Sequence, residues 1–456
     1  MPLVTDERLT NERVADSLVD FDVLLGESEE SFEVRPDDPE RRRRRRRAWL
    51  LTAIVFALIL AVMGAYAGWA LTAPTDAPTA TSEAPRVFAP AAAEIEFPEA
   101  GSSAISVAGA AEYLGADAEG VWLTSGSEDP RPMASLTKLI TALVVLDAHP
   151  LADAKDPGPM ITFGKRDHDL YDKYYVMGAT IAAMPTGVRM SQHDALSAML
   201  VPSASNYAEA VSTWAFGSPW GFARAAEAWL AKNGLAGTTV VEPTGIDPRN
   251  TSTPRDLVAI GKLALANPVV AHIVSQPTMS VPGAGIINTT NPLLGTSGIT
   301  GLKTGNLGPG ACNFLFSARI DVGTGEPLTV IGVILGGQSR EWTNQSALLM
   351  IDSLRTGFQT VPLAEEGQVV GGFSTAWGSR ARLVVSEDAA IHTWSDTPVE
   401  ASLDVSTPEE YVDGEEVGTI TWTAGPDTVT VPVEVEGSIR PPDAWWRLTH
   451  PAELGG

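Results

Sequence analysis

The feature that most constrains this chain lies near its N-terminus. An unbroken run from Arg41 to Arg47 is followed from Ala48 to Thr72, AWLLTAIVFALILAVMGAYAGWALT, by a stretch without one charged residue. Crossing the hydrocarbon core of a bilayer takes roughly 20 apolar residues, so the stretch predicts a transmembrane helix. Arginines on one flank place that flank in the cytoplasm. Residues 1–47 are then expected inside the cell membrane and everything after Thr72 outside it. The small residues of AYAGWA offer a signal peptidase a site, but the basic run follows an unusually long leader, which favours an uncleaved single-pass anchor.

With 456 residues the chain has room for two or three domains. Residues 1–40 are acidic and nearly free of aromatics, a composition that cannot bury enough surface to fold and reads as a disordered cytoplasmic leader. Residues 41–73 hold the basic run and the anchor. Residues 74–98, rich in Pro, Ala and Thr, read as an extended linker off the membrane. Net charge is −25 even with the arginine run included, so the exported part is strongly acidic and nucleic acid is excluded as a partner. The single Cys312 precludes an internal disulfide. It lies in an apolar strand-like run and reads as a small buried hydrophobe.

Residues 99–360 alternate strand and helix signals. Short apolar stretches between Ile105 and Thr124 suggest strands, and a helix is expected from near Ala134, with Leu136, Leu139, Ile140 and Leu143 at helical spacing. MSQHDALSAMLVPSASNYAEAVST reads as two helices broken at Pro202; PWGFARAAEAWLAKNG and STPRDLVAIGKLALANP read as two more. GITGLKTG, CNFLFSARI and PLTVIGVILGG are strand-like, and EWTNQSALLMIDSLRTGF is a closing amphipathic helix. Strands at both ends with helices between them imply an α/β or α+β domain whose antiparallel sheet joins distant parts of the chain. Residues 361–456 alternate apolar and polar residues between Gly, Pro and Asp turns, which predicts a small all-β domain acting as spacer or docking module. No internal repeat stands out.

Chemistry concentrates at three places. RPMASLTKLITALVVLD sets Ser135 and Lys138 at i and i+3, neighbours on one helical face. A serine hydroxyl is a weak nucleophile that a neutral lysine amine can activate, and burial with nearby positive charge lowers a lysine's pKa toward that task. The helix start adds unpaired N–H groups able to hold an oxyanion. VPSASN puts Ser203, Ser205 and Asn206 at a helix junction, where a second serine can relay a proton to a leaving amine. GLKTG puts Lys303, Thr304 and Gly305 on a strand, where the first two can hold a terminal carboxylate and the glycine lets substrate approach.

S-x-x-K, S-x-N and K-T-G in this order form the signature of penicillin-binding proteins and class A β-lactamases. On these motifs, with EPTGIDPRNTSTPRDL, residues 103–360 resemble a D-alanyl-D-alanine carboxypeptidase, a low-molecular-mass penicillin-binding protein of the serine family, in an actinobacterial style. The resemblance implies the penicillin-binding/β-lactamase-like fold. It also implies acylation of Ser135 by a peptidoglycan stem peptide ending in D-Ala-D-Ala, with Lys138 as base and Ser203 as relay. Release of the terminal D-Ala and hydrolysis of the acyl-enzyme follow. It assigns substrate contact to Ser205, Asn206, Lys303, Thr304, Gly305 and Asn306, with the N–H groups of Ser135 and Asn306 as the oxyanion hole. β-Lactams are implied as covalent inhibitors, and no cofactor or metal is required. The β-rich tail resembles the second domain of many members, by composition alone.

One position departs from the pattern. In register, Ser205 occupies the place of the motif's asparagine and Asn206 falls one step on, about 100° round the helix. Reduced activity, or a non-catalytic wall-binding protein that kept the fold, is therefore an alternative, as is a D,D-endopeptidase. A β-lactamase is disfavoured by the lack of a Glu-x-x-Leu-Asn segment between Ser203 and Lys303. His168, His193 and His272 lack metal-ligand spacing. Trp214, Trp220 and Trp229 read as packing residues. The Gly-rich GAGIINTTNPLLGTSG lacks the strand-to-helix setting of a phosphate loop.

Overall fold

The computed structural model describes residues 39–87 and 90–455, so the expectation of a disordered leader falls outside the described residues save for Pro39 and Glu40. The chain forms two compact units. One joins the segment up to Asp76 with Pro442–Gly456, and the other runs from Ala77 to Pro441.

In the first unit, helix α1 (Pro39–Thr72) carries the arginine run and the apolar stretch, and it is long and apolar enough to cross a membrane. Its large apolar side chains, Leu51, Phe56 and Val62 among them, face outward. The end of α1 is covered instead. Ala70 and Ala73 are buried with Leu454, and Trp446 and Leu448 pack on them. Tyr66 donates to the Leu448 carbonyl at 2.7 Å, and Arg447 donates to the Ala73 carbonyl at 2.7 Å. A helix leaves its last carbonyls without partners and its C-terminal end electronegative, so a guanidinium there answers both needs. Residues 442–456, expected within the β-rich domain, thus belong to another unit. After Pro441 and Pro442, which cannot extend a strand ladder, they form a short helix, Ala444–Thr449, capped by Asp443 accepting from Trp446 N–H at 2.7 Å.

The second unit opens with a difference from expectation. The linker is not a free spacer throughout: Thr79–Ser82 forms strand β1, which pairs antiparallel with Val369–Ser374 at the edge of the β-rich sheet. All four of its residues, TATS, are exposed, as suits a strand at a sheet edge. That sheet continues through Arg380–Val385, Asp427–Gly437, Glu416–Ala424 and Val399–Val405 over a core of Leu383, Val385, Ile420, Trp422 and Val433.

The site-bearing sheet has five antiparallel strands: β2 (Ser102–Ala108), β3 (Leu123–Gly126), β4 (Ile299–Asn306), β5 (Cys312–Ile320) and β6 (Leu328–Gly337), in the order β4-β5-β6-β2-β3. Successive strand residues point to opposite faces, and both faces are buried. Leu315, Ile331 and Val333 pack with Leu257 and Ile260 of helix Pro254–Ala266 and with α2 (Thr137–Ala148); Phe314, Phe316 and Ile334 pack against Ala347, Met350 and Ile351 of the closing helix Arg340–Gly357. The helix expected from Ala134 opens with a three-residue 3₁₀ turn, Ala134–Leu136, before α2 proper. Leu136, Leu139, Ile140 and Leu143 are all buried, as their spacing demands. The break at Pro202 separates Gln192–Leu200 from Ser205–Phe216.

Candidate active site

Ser135 sits in the turn that feeds α2, and backbone from two directions crowds that turn. Gly245 has φ +79, and a Cβ there would lie 1.9 Å from the Ala134 carbonyl oxygen. On the other side, a Cβ on Gly305 of β4 would lie 2.9 Å from Met133 O and 3.2 Å from Ser135 N. Glycine at both positions lets a loop and a strand close on the serine's own peptide. Asn313 of β5 completes the clamp by donating to Pro132 O at 3.0 Å and accepting from Gly336 N–H at 2.9 Å.

One turn on, Lys138 is fully buried. Its Nζ donates to Ser135 Oγ at 3.0 Å and to the Thr244 carbonyl at 2.6 Å. Burial brings its pKa down to about 7, against a smaller upward pull from the Glu242 carboxylate. A lysine poised between amine and ammonium near neutral pH can take a proton from the adjacent hydroxyl and return it.

Lys303 is also buried, and desolvation, then repulsion from Lys138 and Arg340, holds it well below the ordinary lysine value. It donates to Thr304 O at 3.1 Å and to Thr290 Oγ1 at 3.3 Å, while the Thr290 and Thr304 hydroxyls are 2.8 Å apart. Lys303 thus stands behind two hydroxyls that face the site.

Ser135, Ser203, Thr304, Gly305 and Asn306 line one cavity of about 290 Å³. Ser203 is 4% exposed and held at φ +63, a strained conformation for a residue with a side chain. Ser205 and Asn206 do not line the cavity. Asn206 is turned to backbone: it donates to Ala182 O at 2.8 Å and accepts from Ala182 N–H at 3.2 Å. Asn306 Oδ1 accepts from Gly308 N–H at 2.8 Å, so its side chain shapes the turn that follows β4.

Thr290, Arg340 and Asn313 also line this cavity, and sequence reasoning did not single them out. Asn313 carried a signal, as a lone amide inside the apolar run CNFLF. Arg340 follows a strand end at the start of a helix, an ordinary place for a cation. Cys312 is buried as expected, yet it too lines the cavity, with Sγ 3.3 Å from Asn306 Oδ1. Trp229 is buried and Trp214 packs at the core's edge, but Trp220 is 68% exposed, with Arg224 over its ring, contrary to a packing role. Its place at the exposed N-terminal turn of helix Pro219–Lys232 accounts for this. Among the described residues no group of three potential metal ligands occurs.

The profile of the peptidase S11 family, D-alanyl-D-alanine carboxypeptidase, matches residues 106–339. The D-alanyl-D-alanine endopeptidase of Pseudomonas aeruginosa is 29% identical over 150 residues, which is 33% of this chain and 45% of that protein. The chain spans about half the length of the curated relatives it matches. Among solved structures, penicillin binding protein 6B from Escherichia coli superposes with a TM-score of 0.51 at 21% identity, covering 78% of this chain and 99% of that one. The D-alanyl-D-alanine carboxypeptidase DacD from Francisella tularensis superposes with a TM-score of 0.50 at 16% identity, covering 78% and 97%. The arrangement of sheet and helices described above is theirs.

Proposed function

Because this chain belongs to the D-alanyl-D-alanine carboxypeptidase family, peptidase S11, we propose that residues 99–360 form a serine peptidase domain that removes the terminal D-Ala from peptidoglycan stem peptides. The observation that carries the reading is the 3.0 Å contact between Lys138 Nζ and Ser135 Oγ at the edge of a cavity flanked by Thr304 and Gly305.

Lys138, as the amine, takes the Ser135 proton while Oγ attacks the carbonyl of the penultimate D-Ala. The oxyanion forms against the N–H groups of Ser135 and Asn306, each such donor being worth about 10²–10³ in rate. The peptide C–N bond then breaks, and the leaving amine receives the proton from Lys138 through Ser203. Water, deprotonated by Lys138, hydrolyses the ester and frees Ser135. Thr290, Thr304 and Arg340 hold the terminal carboxylate, with Lys303 orienting the two hydroxyls from behind. β-Lactams, which present a strained amide to the same serine, are covalent inhibitors. Ser205 supplies only a short hydroxyl where the motif has an amide, so this position adds little to substrate binding.

A second reading, cleavage of cross-links between stem peptides, draws support from the endopeptidase names of the curated relatives. The two differ in whether the released amine is free D-Ala or a neighbouring peptide. In either reading helix α1 crosses the cell membrane with residues 1–47 in the cytoplasm, on the side that the positive-inside bias assigns to the arginine run, and the peptidase outside.

Mass spectrometry of the full-length protein after incubation with penicillin tests the catalytic reading. The expected result is one adduct mapped to Ser135 and none on Ser135→Ala; an unmodified parent protein refutes it.

A further inference from the structure

We propose that Glu242 is a positioning residue for the acylation reaction: it holds the loop that carries the Thr244 carbonyl against Lys138 and supplies the negative charge opposite that lysine. The proposal rests on the peptidase reading above.

The Glu242 carboxylate is ringed by hydrogen-bond donors. Its Oε2 accepts from Thr244 N–H at 2.7 Å. Its Oε1 accepts from Gly245 N–H at 2.6 Å, from Asn250 Nδ2 at 2.6 Å and from Asp247 N–H at 3.3 Å. Asn250, fully buried, locks the other side by accepting from Val241 N–H at 2.7 Å and donating to the Glu242 carbonyl at 3.1 Å. The loop is thus wound around one carboxylate, and what it delivers is specific. Thr244 O takes a hydrogen bond from Lys138 Nζ at 2.6 Å, Pro243 O takes one from Thr141 of the same helix at 2.8 Å, and Gly245 closes on the Ala134 carbonyl. With one Nζ hydrogen directed at Thr244, one of the two remaining positions of that nitrogen is aimed at Ser135 Oγ.

The charge has its own effect. Glu242 is the acidic group that acts on Lys138, opposing the desolvation that favours the neutral amine. Several other ionisable groups on the elements packed around α2 have partners of their own. Lys303 of β4 faces Lys138 with the same sign, but burial, with repulsion from Lys138 adding to it, holds it well below the ordinary lysine value and so toward the neutral amine. Glu209 bonds to Lys173 and Tyr174. Lys232 pairs with Asp147 at the far end of α2. His193 and His272 face each other, and Asp256 accepts from Thr238. Removing the Glu242 charge therefore shifts Lys138 further toward the amine.

The test is the pH dependence of penicillin acylation of the full chain, parent against Glu242→Gln and Glu242→Asp. For Glu242→Gln the expected result is a plateau rate lower by roughly 10²-fold, since a misplaced base costs that much, with the acid limb displaced to lower pH. Glu242→Asp keeps the charge but falls short of the Gly245 and Asp247 amides, so its plateau drops while its limb stays with the parent's. A Glu242→Gln limb coincident with the parent's overturns the proposal, leaving only a structural role. If Glu242→Gln does not fold, an unaltered plateau in Glu242→Asp overturns it equally. A parent that is never acylated sinks the peptidase reading itself, whereas an acylated parent with indifferent variants sinks this inference alone.

Discussion

Lys138 Nζ and Ser135 Oγ stand 3.0 Å apart, one helical turn from each other, in a setting where the lysine is fully buried and the serine opens onto a cavity. A general base must be within hydrogen-bond reach of the proton it takes and near its own pKa at the working pH. Both conditions hold. Because Lys138 titrates at about 7 and the amine is the active form, acylation is expected to rise through pH 7 from the acid side. Stopped-flow acylation rates from about pH 5 to about pH 9, a window spanning both sides of that value, check this; a rate flat across the interval removes Lys138 as the titrating base.

Lys138→Met separates catalysis from stability. Acylation is expected to fall by roughly 10²–10⁴-fold, the usual worth of a positioned base. Stability behaves differently. The folded lysine holds its proton less tightly than the unfolded one, so between pH 7 and its ordinary value of 10.5 the unfolded chain binds more protons and stability rises with pH. Thermal unfolding of Lys138→Met is expected to lose that rise; an identical pH profile in both proteins contradicts it.

Ser205 and Asn206 yield opposite expectations. Asn206→Ala breaks both hydrogen bonds to Ala182 in a buried site and is expected to cost about 1–3 kcal/mol of stability in denaturant unfolding. Ser205→Asn restores an amide at the first residue of helix Ser205–Phe216 and is expected to raise the acylation rate. An unchanged rate would show that no amide is missing there.

Much of this site is legible in the sequence because its spacing is local. Ser135 lies in the 3₁₀ turn that runs straight into the helix of Lys138, and Lys303 to Asn306 share one strand, so short local spacing sets their relations. Contacts between distant segments are not legible. Nothing in EPTGIDPRN announces that Glu242 is ringed by its own loop, and nothing in the run before β4 announces that the Thr290 and Thr304 hydroxyls meet at 2.8 Å. Asn206 suits a substrate contact by residue type, but a buried amide takes the nearest backbone partners, and Ala182 provides both. Two segments, one in each unit, depart from expectation for a similar reason. Composition speaks for a linker at residues 79–82 and for the β-rich domain at 442–455, whereas an open sheet edge and the bare carbonyls at the end of α1 decide where they go.

The C-terminal contact gives a prediction about the first unit. Arg447→Ala removes the donor to the Ala70 and Ala73 carbonyls, and Tyr66→Phe removes the one to Leu448. In the full chain in lipid nanodiscs, the double variant is expected to expose the 442–455 segment to protease while the parent resists. Equal cleavage would mean that these bonds do not hold the segment.

The most direct measurement follows a stem pentapeptide ending in D-Ala-D-Ala, alongside a cross-linked dimer, by mass spectrometry after incubation with the full-length protein and with Ser135→Ala. Loss of one alanine from the pentapeptide by the parent alone is the expected result. Cleavage by Ser135→Ala at the parent's rate, or two untouched substrates with the parent, would contradict the account.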